Sequence, residues 1–227
     1  MLKRIVMGLL VMALAMGLLC AAENAPTLVN VSVVCGDVVL ACEPVETEDT
    51  DGDGVISIND ALVCAHAQYC ELGADGYGSE ITQWGISMTK LWGTVNGGSY
   101  GYYLNNASPA SLADEVKNGD FVCAYAYTDM MGFSDTYCYF AVDGETAYEA
   151  GAPIALSLFS IGWDENWAPV SRPAAGASVL VNGVPVNGLT DENGCITLTI
   201  LEPGEYVITA ETDAFIMVTP CLRVTVK

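Results

Sequence analysis

Apolar and polar residues alternate along most of the chain in short runs, and this period of two is typical of half-buried β-strands. The segment 28–42 predicts two strands about a Gly36-Asp37 turn. A third strand is predicted at 121–127, with 136–140 as its antiparallel partner. Helical spacing appears in the segment 59–70, which predicts a short helix.

The pattern becomes more regular after residue 143. Short β-rich runs follow one another there, separated by Asn-Gly and Pro-Gly pairs that favour tight hairpin turns. Such spacing is typical of an all-β sandwich. We therefore predict a mainly β protein with an α+β first domain over 24–142 and an all-β second domain over 143–227.

The first residues have the pattern of an export signal. Lys3 and Arg4 precede an apolar run over 5–19 that is short for a membrane span. We predict a signal peptide over 1–22, cleaved after Ala22, and a secreted protein. Lipidation of Cys20, which would attach the chain to the cell surface, and an uncleaved anchor stay open. The mature chain is expected to have no transmembrane span.

The charge balance excludes one class of function. The 227 residues include 7 Lys and Arg against 28 Asp and Glu, for a formal net charge of -21. A protein that binds nucleic acid by neutralising phosphates needs the opposite balance. Hydrophobic residues make up 52% of the chain, so the acidity does not indicate disorder.

Nine cysteines are present, and export would leave eight after the loss of Cys20. An even number outside the cell favours disulfides, and no CxxC pair suggests a thiolate metal site. We predict Cys123–Cys138, on opposed strands, and Cys195–Cys221, the two cysteines of the last third. A link from the first strands to the helix is a further expectation. The alternative is that several cysteines stay reduced as small buried hydrophobes.

Residues 49–60 match a twelve-residue calcium loop of the EF-hand type. Carboxylates occupy positions 1, 3, 5 and 12, a glycine occupies position 6, and a backbone carbonyl serves at position 7. Three aspartates within five residues repel one another unless a cation neutralises them. The alternative is a solvated acidic turn. The predicted Ca²⁺ ligands are Asp49, Asp51, Asp53, the carbonyl of Val55, and Asp60.

Catalytic patterns are not found in the sequence. The single histidine, His66, lies on the predicted helix without an acid–base relay nearby, so we predict a structural role for it. No nucleophile elbow or nucleotide-binding glycine motif occurs. Aromatic residues could form a sugar-binding platform, although in alternating β segments they are usually core. The tryptophans concerned are Trp84, Trp92, Trp163 and Trp167.

The segment 92–98, with the sequence WGTVNGG, is followed by KNGD at 117–120 and by the strand FVCAYAY. These residues resemble the β-grasp-like module at the C-terminus of transcobalamin and intrinsic factor, called DUF4430 in secreted bacterial proteins. The resemblance implies a β-grasp-like fold with one helix and a capacity to cover a corrinoid. The calcium loop at 49–60 resembles a dockerin loop, but dockerins carry two such loops in tandem.

The last third resembles the transthyretin-like, carboxypeptidase-regulatory type of β-sandwich. The resemblance rests on GASVLVNG at 176–183, TDENG at 190–194 and LEPGEYVITA at 201–210. It implies a structural or adhesive module. Asp191 and Glu192 are better interpreted as turn formers than as metal ligands.

These expectations converge on a secreted or cell-surface bacterial protein that binds calcium and acts as an interaction or adhesion module. We expect a protein or glycan partner outside the cell, no nucleic acid and no enzymatic activity. The alternative is an extracellular protein that binds a small ligand, a corrinoid or a glycan, in a groove between the domains.

Overall fold

The computed structural model describes residues 26–141 and 146–227, so the predicted signal peptide lies outside the described residues. The described chain is mainly β with one α-helix, as the alternating pattern predicted. The elements of the first half are β1 (Thr27–Cys35), β2 (Asp37–Thr47), α1 (Ile58–Tyr69), a 3₁₀ helix (Gly73–Gly76), β3 (Gly78–Thr82), β4 (Gly85–Lys90), β5 (Tyr100–Leu104) and β6 (Phe121–Ala126).

The second half contains ten strands among its described residues. They are β7 (Thr136–Ala141), β8 (Ala147–Tyr148), β9 (Pro153–Trp163), β10 (Pro169–Pro173), β11 (Ser178–Val181), β12 (Val184–Leu189), β13 (Cys195–Thr199), β14 (Gly204–Glu211), β15 (Met217–Val218) and β16 (Cys221–Val226).

The first unit is a four-stranded sheet in the order β2-β1-β6-β5, with α1 packed on one face. β1 and β2 form the predicted hairpin about Gly36, whereas β1 and β6 run parallel at the centre of the sheet. Alternate β1 side chains, Val29 and Val31 among them, are fully buried with Ile58 and Leu62 of the helix. A hairpin, a helix and a central parallel pair form the β-grasp arrangement.

The second unit is a sandwich of two sheets. One has the order β10-β9-β7-β15 with β13 also paired to β9, and the other has the order β12-β11-β14-β16-β8. Leu156 and Leu158 of the first sheet share a core with Ile208 and Val224 of the second. These four side chains are at most 1% exposed, so the two inner faces enclose an apolar layer.

The border between the two units lies earlier than the sequence predicted. β7 was expected to pair with β6, but it pairs with β9 and β15 in the sandwich. Both edges of β6 are already occupied, by β1 and β5. The boundary predicted between 142 and 143 therefore falls inside the second unit, and the change of unit occurs between Ala126 and Thr136.

Aromatic side chains fill the junction of the two units. Tyr103 of β5 stacks on Tyr137 of β7, with ring centroids 3.8 Å apart and planes inclined by 10°. Tyr125, Ile161 and neighbouring residues complete this small core. Arg223 of β16 adds an ion pair to Glu43 of β2. The two units are therefore joined by apolar and charged contacts together.

Candidate metal centre

The acidic loop brings three of its aspartates together. One carboxylate oxygen from each of Asp49, Asp51 and Asp53 lies within 4.8 Å of the others. Asp49 holds the turn, because its two oxygens accept hydrogen bonds from the amides of Gly52 at 2.7 Å and Gly54 at 2.8 Å. Gly54 has a φ of +91°, which a side chain would strain. The glycine at position 6 thus allows the bend that gathers the carboxylates.

The electrostatics of this trio differ from one aspartate to the next. The Gly54 amide is the main cause of the lowered pKa of Asp49. A hydrogen bond from the Asp53 amide lowers the pKa of Asp51, but desolvation and the neighbouring carboxylates outweigh it, so the pKa of Asp51 is raised. The repulsion from neighbouring carboxylates therefore contributes to the raised pKa of Asp51.

Asp60 does not join the trio in this structure. It is 1% exposed, and one oxygen accepts hydrogen bonds from the amide and hydroxyl of Ser57 at 2.9 and 2.6 Å. Its other oxygen accepts from the amide and hydroxyl of Thr50. Burial raises the pKa of Asp60, but these hydrogen bonds more than offset it and lower the pKa overall. The predicted twelfth-position ligand therefore serves here as the partner of the N-cap residue Ser57 at the start of α1.

The capping arrangement has a local cause in the sequence. Ser57 is the N-cap of α1 and its hydroxyl accepts from the Asp60 amide at 3.2 Å, while Asp60 reaches back to the Ser57 amide. This reciprocal pair is a capping box, with aspartate in the place of the usual glutamate. A carboxylate at this position also interacts favourably with the positive end of the helix dipole. Asp60 can thus stabilise α1 whether or not a metal binds.

The donor set fits a hard cation in part. Three clustered carboxylates suit Ca²⁺, which prefers six to eight oxygen ligands. Asp49 is half-buried, whereas Asp51 and Asp53 are exposed, so the mouth of the loop is open to water. The Val55 amide donates to Asp53 at 2.8 Å and holds the backbone where the carbonyl ligand was predicted. Within residues 26–141 and 146–227, this trio is the one group of three potential metal ligands whose ligand atoms all lie within 4.8 Å of one another.

The cysteines are not paired as predicted. All eight described cysteines are free thiols. Cys123 on β6 and Cys138 on β7 belong to different sheets, because β6 is enclosed by β1 and β5. Cys195 lies exposed on β13, whereas Cys221 lies on β16 of the facing sheet. Neither predicted disulfide, Cys123–Cys138 or Cys195–Cys221, is formed in the structure.

His66 has the structural role that its sequence context predicted. The ring is fully buried, and Nδ1 lies 2.6 Å from the Leu62 carbonyl while Nε2 accepts from the Trp92 amide at 3.0 Å. Burial is the main cause of its lowered pKa. Both ring nitrogens are engaged with backbone, so His66 has no free atom for acid–base chemistry.

The tryptophans are divided between core and surface. Trp92 packs on the His66 ring at 4.9 Å. Trp84, at the tip of the β3–β4 hairpin, is 88% exposed beside Ile81, which is 89% exposed, and Trp167 is 80% exposed in the β9–β10 connection. A platform containing all four tryptophans is not formed, but the hairpin tip presents two apolar side chains to solvent.

Asp191 is a turn former, as the sequence predicted. Its carboxylate accepts from the amides of Asn193 at 2.9 Å and Cys195 at 2.8 Å and closes the turn that starts β13. Asp191 and Glu192 belong to no group of three converging metal ligands among the described residues.

A cavity of about 390 Å³ opens between the two units. Its aromatic walls include Phe121 of β6 and Tyr137, Tyr139 and Phe140 of β7. Four cysteines also line this cavity, and the sequence did not predict that they would lie together: Cys42, Cys123, Cys138 and Cys221.

Comparison with known proteins does not assign the chain to a family. No family model matches it, and no curated protein matches it. A solved CARDB domain of the PF1109 protein from Pyrococcus furiosus, in complex with di-metal ions, is 13% identical, with a TM-score of 0.28; the match covers 41% of this chain and 93% of that one. The first four Ig domains of Dscam1 isoform 4.44 are 8% identical, with a TM-score of 0.25, over 50% of this chain and 25% of that one. In the described part of the chain, no helix has the length and apolar character to cross a bilayer.

Proposed function

We propose that this chain is an exported, non-enzymatic interaction module of bacterial origin whose acidic loop binds Ca²⁺. The observation that carries the proposal is the convergence of Asp49, Asp51 and Asp53 within 4.8 Å. A cation there would offset the repulsion among three carboxylates and hold the loop in the conformation that leads into α1. Calcium fits better than magnesium, because an open oxygen-rich loop suits its larger and more variable coordination shell.

The interaction surface would include the tip of the β3–β4 hairpin. Ile81 and Trp84 are almost fully exposed there, and they contribute little to the core of the unit. Aromatic residues are enriched where proteins bind partners. We propose a protein or glycan partner outside the cell. The transthyretin-like resemblance of the last third, which implies a structural or adhesive module, supports the same function.

Isothermal titration of the chelator-treated full-length mature protein tests the metal site. We expect saturable uptake of about one Ca²⁺ per chain and much weaker binding of Mg²⁺. Asp51→Asn should reduce calcium affinity, whereas Asp164→Asn, in another aspartate-closed turn, should leave it unchanged. Absence of calcium uptake at millimolar concentration would show that the loop is an acidic turn only.

A second candidate function is the binding of a small ligand in the cavity between the units. Its volume of about 390 Å³ and its aromatic walls favour this alternative. A glycan of one or two sugar units suits this volume better than a whole corrinoid. Quenching of aromatic fluorescence, titrated with oligosaccharides and with cobalamin, tests it. Saturable quenching that is lost in Tyr139→Ala would favour this function, and a flat titration would exclude these ligands.

A further inference from the structure

Cys42 occupies an irregular position in β2. The β1–β2 register shifts between Val31 and Val33, where the ladder passes from Glu43 to Leu40 and leaves Cys42 in a β-bulge. Its φ is +49°, a left-handed conformation that is uncommon for a residue other than glycine. Bulges re-aim side chains and are common beside functional sites. Contacts outside the local sequence must therefore hold the backbone of Cys42 in this conformation.

Buried polar contacts hold this bulge in place. The hydroxyl of Ser32, which is 1% exposed, accepts from the Cys42 amide at 2.9 Å and lies 3.3 Å from the Cys42 sulfur. Arg223 donates to the carbonyls of Ala41 and Cys42, each at 3.3 Å, and pairs with Glu43. These contacts fix the direction in which the Cys42 side chain leaves the sheet.

That direction leads to the second unit. The Cys42 thiol donates to the carbonyl of Cys221 at 3.1 Å, across 179 residues of sequence. Cys221 is the first residue of β16, next to Pro220, and both line the cavity between the units. The Cys42 sulfur thus lies against the backbone of Cys221, a cysteine of the other unit, and both residues face the same cavity.

We propose that Cys42 and Cys221 form a reversible disulfide that covalently joins the β-grasp unit to the sandwich. The oxidant is an external disulfide, such as glutathione disulfide. The Cys42 thiolate attacks one of its sulfurs and releases one thiolate; the Cys221 thiol then loses its proton, attacks the Cys42 sulfur and releases the second. Two cysteine thiols are oxidised by two electrons, and the external disulfide is reduced to two thiols.

The surroundings favour Cys42 as the attacking group. The Cys221 side chain, the Ser32 hydroxyl and the positive charge of Arg223 all lower the pKa of Cys42, against the opposing effect of burial. The thiolate is the form that attacks a disulfide. Cys123 and Cys138 line the same cavity, but burial raises the pKa of both.

A metal does not explain the contact between these two cysteines. Four cysteines line the cavity, yet among the described residues no set of three cysteine, histidine or carboxylate ligands other than the aspartate trio of the acidic loop converges within 4.8 Å. A pair of adjacent thiols supports a disulfide and does not complete the four-ligand set of a structural zinc site. The proposal is independent of calcium binding.

Peptide mapping of the full-length mature protein tests the link. The reduced protein is oxidised with glutathione disulfide, its remaining thiols are alkylated, and it is digested with a Glu-specific protease without reduction. Cys221 is the one cysteine of the fragment 212–227, and Cys42 lies with Cys35 in the fragment that ends at Glu46. We expect these two fragments to be joined, and to separate on reduction.

Matched variants assign the link to one sulfur. Cys35→Ser and Cys123→Ser should keep the joined fragments, whereas Cys42→Ser should abolish them and leave Cys221 alkylated. The wild-type map needs no variant to fold, so by itself it decides whether fragment 212–227 is joined to the fragment that ends at Glu46; the variants decide which of the two cysteines in that fragment is bonded. The proposal is overturned if fragment 212–227 is found alkylated in the oxidised wild type, or joined to the 116–145 fragment that carries Cys123 and Cys138.

Discussion

The buried ring of His66 and the backbone amide of Trp92 are joined by a hydrogen bond of 3.0 Å that ties α1 to the turn after β4. On the other side of the ring, Nδ1 donates to the Leu62 carbonyl within the helix. These two bonds require one neutral tautomer, with the proton on Nδ1. The first unit therefore depends on a histidine that stays uncharged.

Acidification should weaken the fold through this residue. The pKa of His66 is lowered, chiefly by burial, whereas the unfolded chain takes up a proton near the ordinary value of about 6.5. The contribution of the neutral ring to stability is thus complete above pH about 6.5 and is lost as the pH falls below it. Urea unfolding at several pH values measures the loss.

The matched variant for this test is His66→Gln, because the chain contains one histidine. The variant should be less stable at pH 7.5 by about 1–3 kcal/mol, since backbone groups lose their partners. Its stability should change less than that of the wild type between pH 7 and 5.5. Parallel slopes for the two proteins would contradict the role given to His66.

The turn that starts β13 depends on a glycine. Gly194 has a φ of +74°, and an added Cβ would lie 2.3 Å from the backbone oxygen of Leu158. Gly183 has a similar φ of +77° with no atom within 4 Å of such a Cβ. Gly183→Ala should cost about 1–2 kcal/mol of stability through backbone strain alone. Gly194→Ala should cost about 1–3 kcal/mol more, because the neighbouring strand must also shift.

Thermal or urea unfolding of the two glycine variants separates these contributions. Equal losses of stability in Gly183→Ala and Gly194→Ala would mean that β9 yields to the added methyl group without cost.

The aromatic junction predicts coupling between the two units. Tyr103 and Tyr137 stack at 3.8 Å, and such pairs contribute about 0.5–1.5 kcal/mol beyond the area they bury. A double-mutant cycle of Tyr103→Leu and Tyr137→Leu should therefore show a coupling energy of that size. Tyr137→Phe serves as the control: it keeps the stack and loses the hydrogen bond to Asn106 at 2.7 Å. Strict additivity of the leucine variants would exclude stacking as a source of stability.

Local patterns were sufficient for most individual elements. The hairpin about Gly36 and the helix after the acidic loop were predicted within a few residues of their observed bounds, β1 Thr27–Cys35 and α1 Ile58–Tyr69. The reason is physical: period-two alternation, a turn glycine and an N-cap serine act within a few residues of one another. The mainly β class follows from the same local signals.

Those local patterns could not predict which strands, distant in sequence, pair with one another. The segments that became β6 and β7 are adjacent in sequence and both apolar, which favoured a hairpin. The parallel pairing of β1 with β6 occupies that edge instead, and it joins residues such as Ser32 and Cys123 that are far apart in the chain. The same limit explains the cysteines, because the contact of Cys42 with Cys221 depends on the docking of two units.

The geometry of the acidic loop was predicted in part for a related reason. The spacing of Asp49, Asp51 and Asp53 is local, and these side chains do converge. Asp60 has two roles open to it, twelfth ligand and helix cap, and the spacing could not distinguish them. In the structure the Ser57 and Thr50 donors occupy its oxygens.

The last prediction separates these two roles of the aspartates. Asp51→Asn should leave the stability of the calcium-free protein unchanged or slightly higher, because desolvation and the neighbouring carboxylates both disfavour the charged form of Asp51. Asp60→Asn should destabilise the calcium-free protein by about 1 kcal/mol, because the capping box loses its charged acceptor. Melting curves in chelator measure both effects without any metal.

Calcium then supplies the second half of the experiment. If the trio is the site, saturating calcium at a hundred times Kd should stabilise the wild type by about 2.7 kcal/mol. Asp51→Asn should lose most of that gain. If the Asp60 carboxylate of the wild type keeps its hydrogen bonds at the start of α1 when calcium binds, Asp60→Asn should retain the stabilisation by calcium. If the wild-type carboxylate instead turns from Thr50 to the ion, Asp60→Asn should lose it. If calcium does not shift the melting temperature of the wild type, the hypothesis of a calcium site is wrong and the aspartates form only an acidic turn.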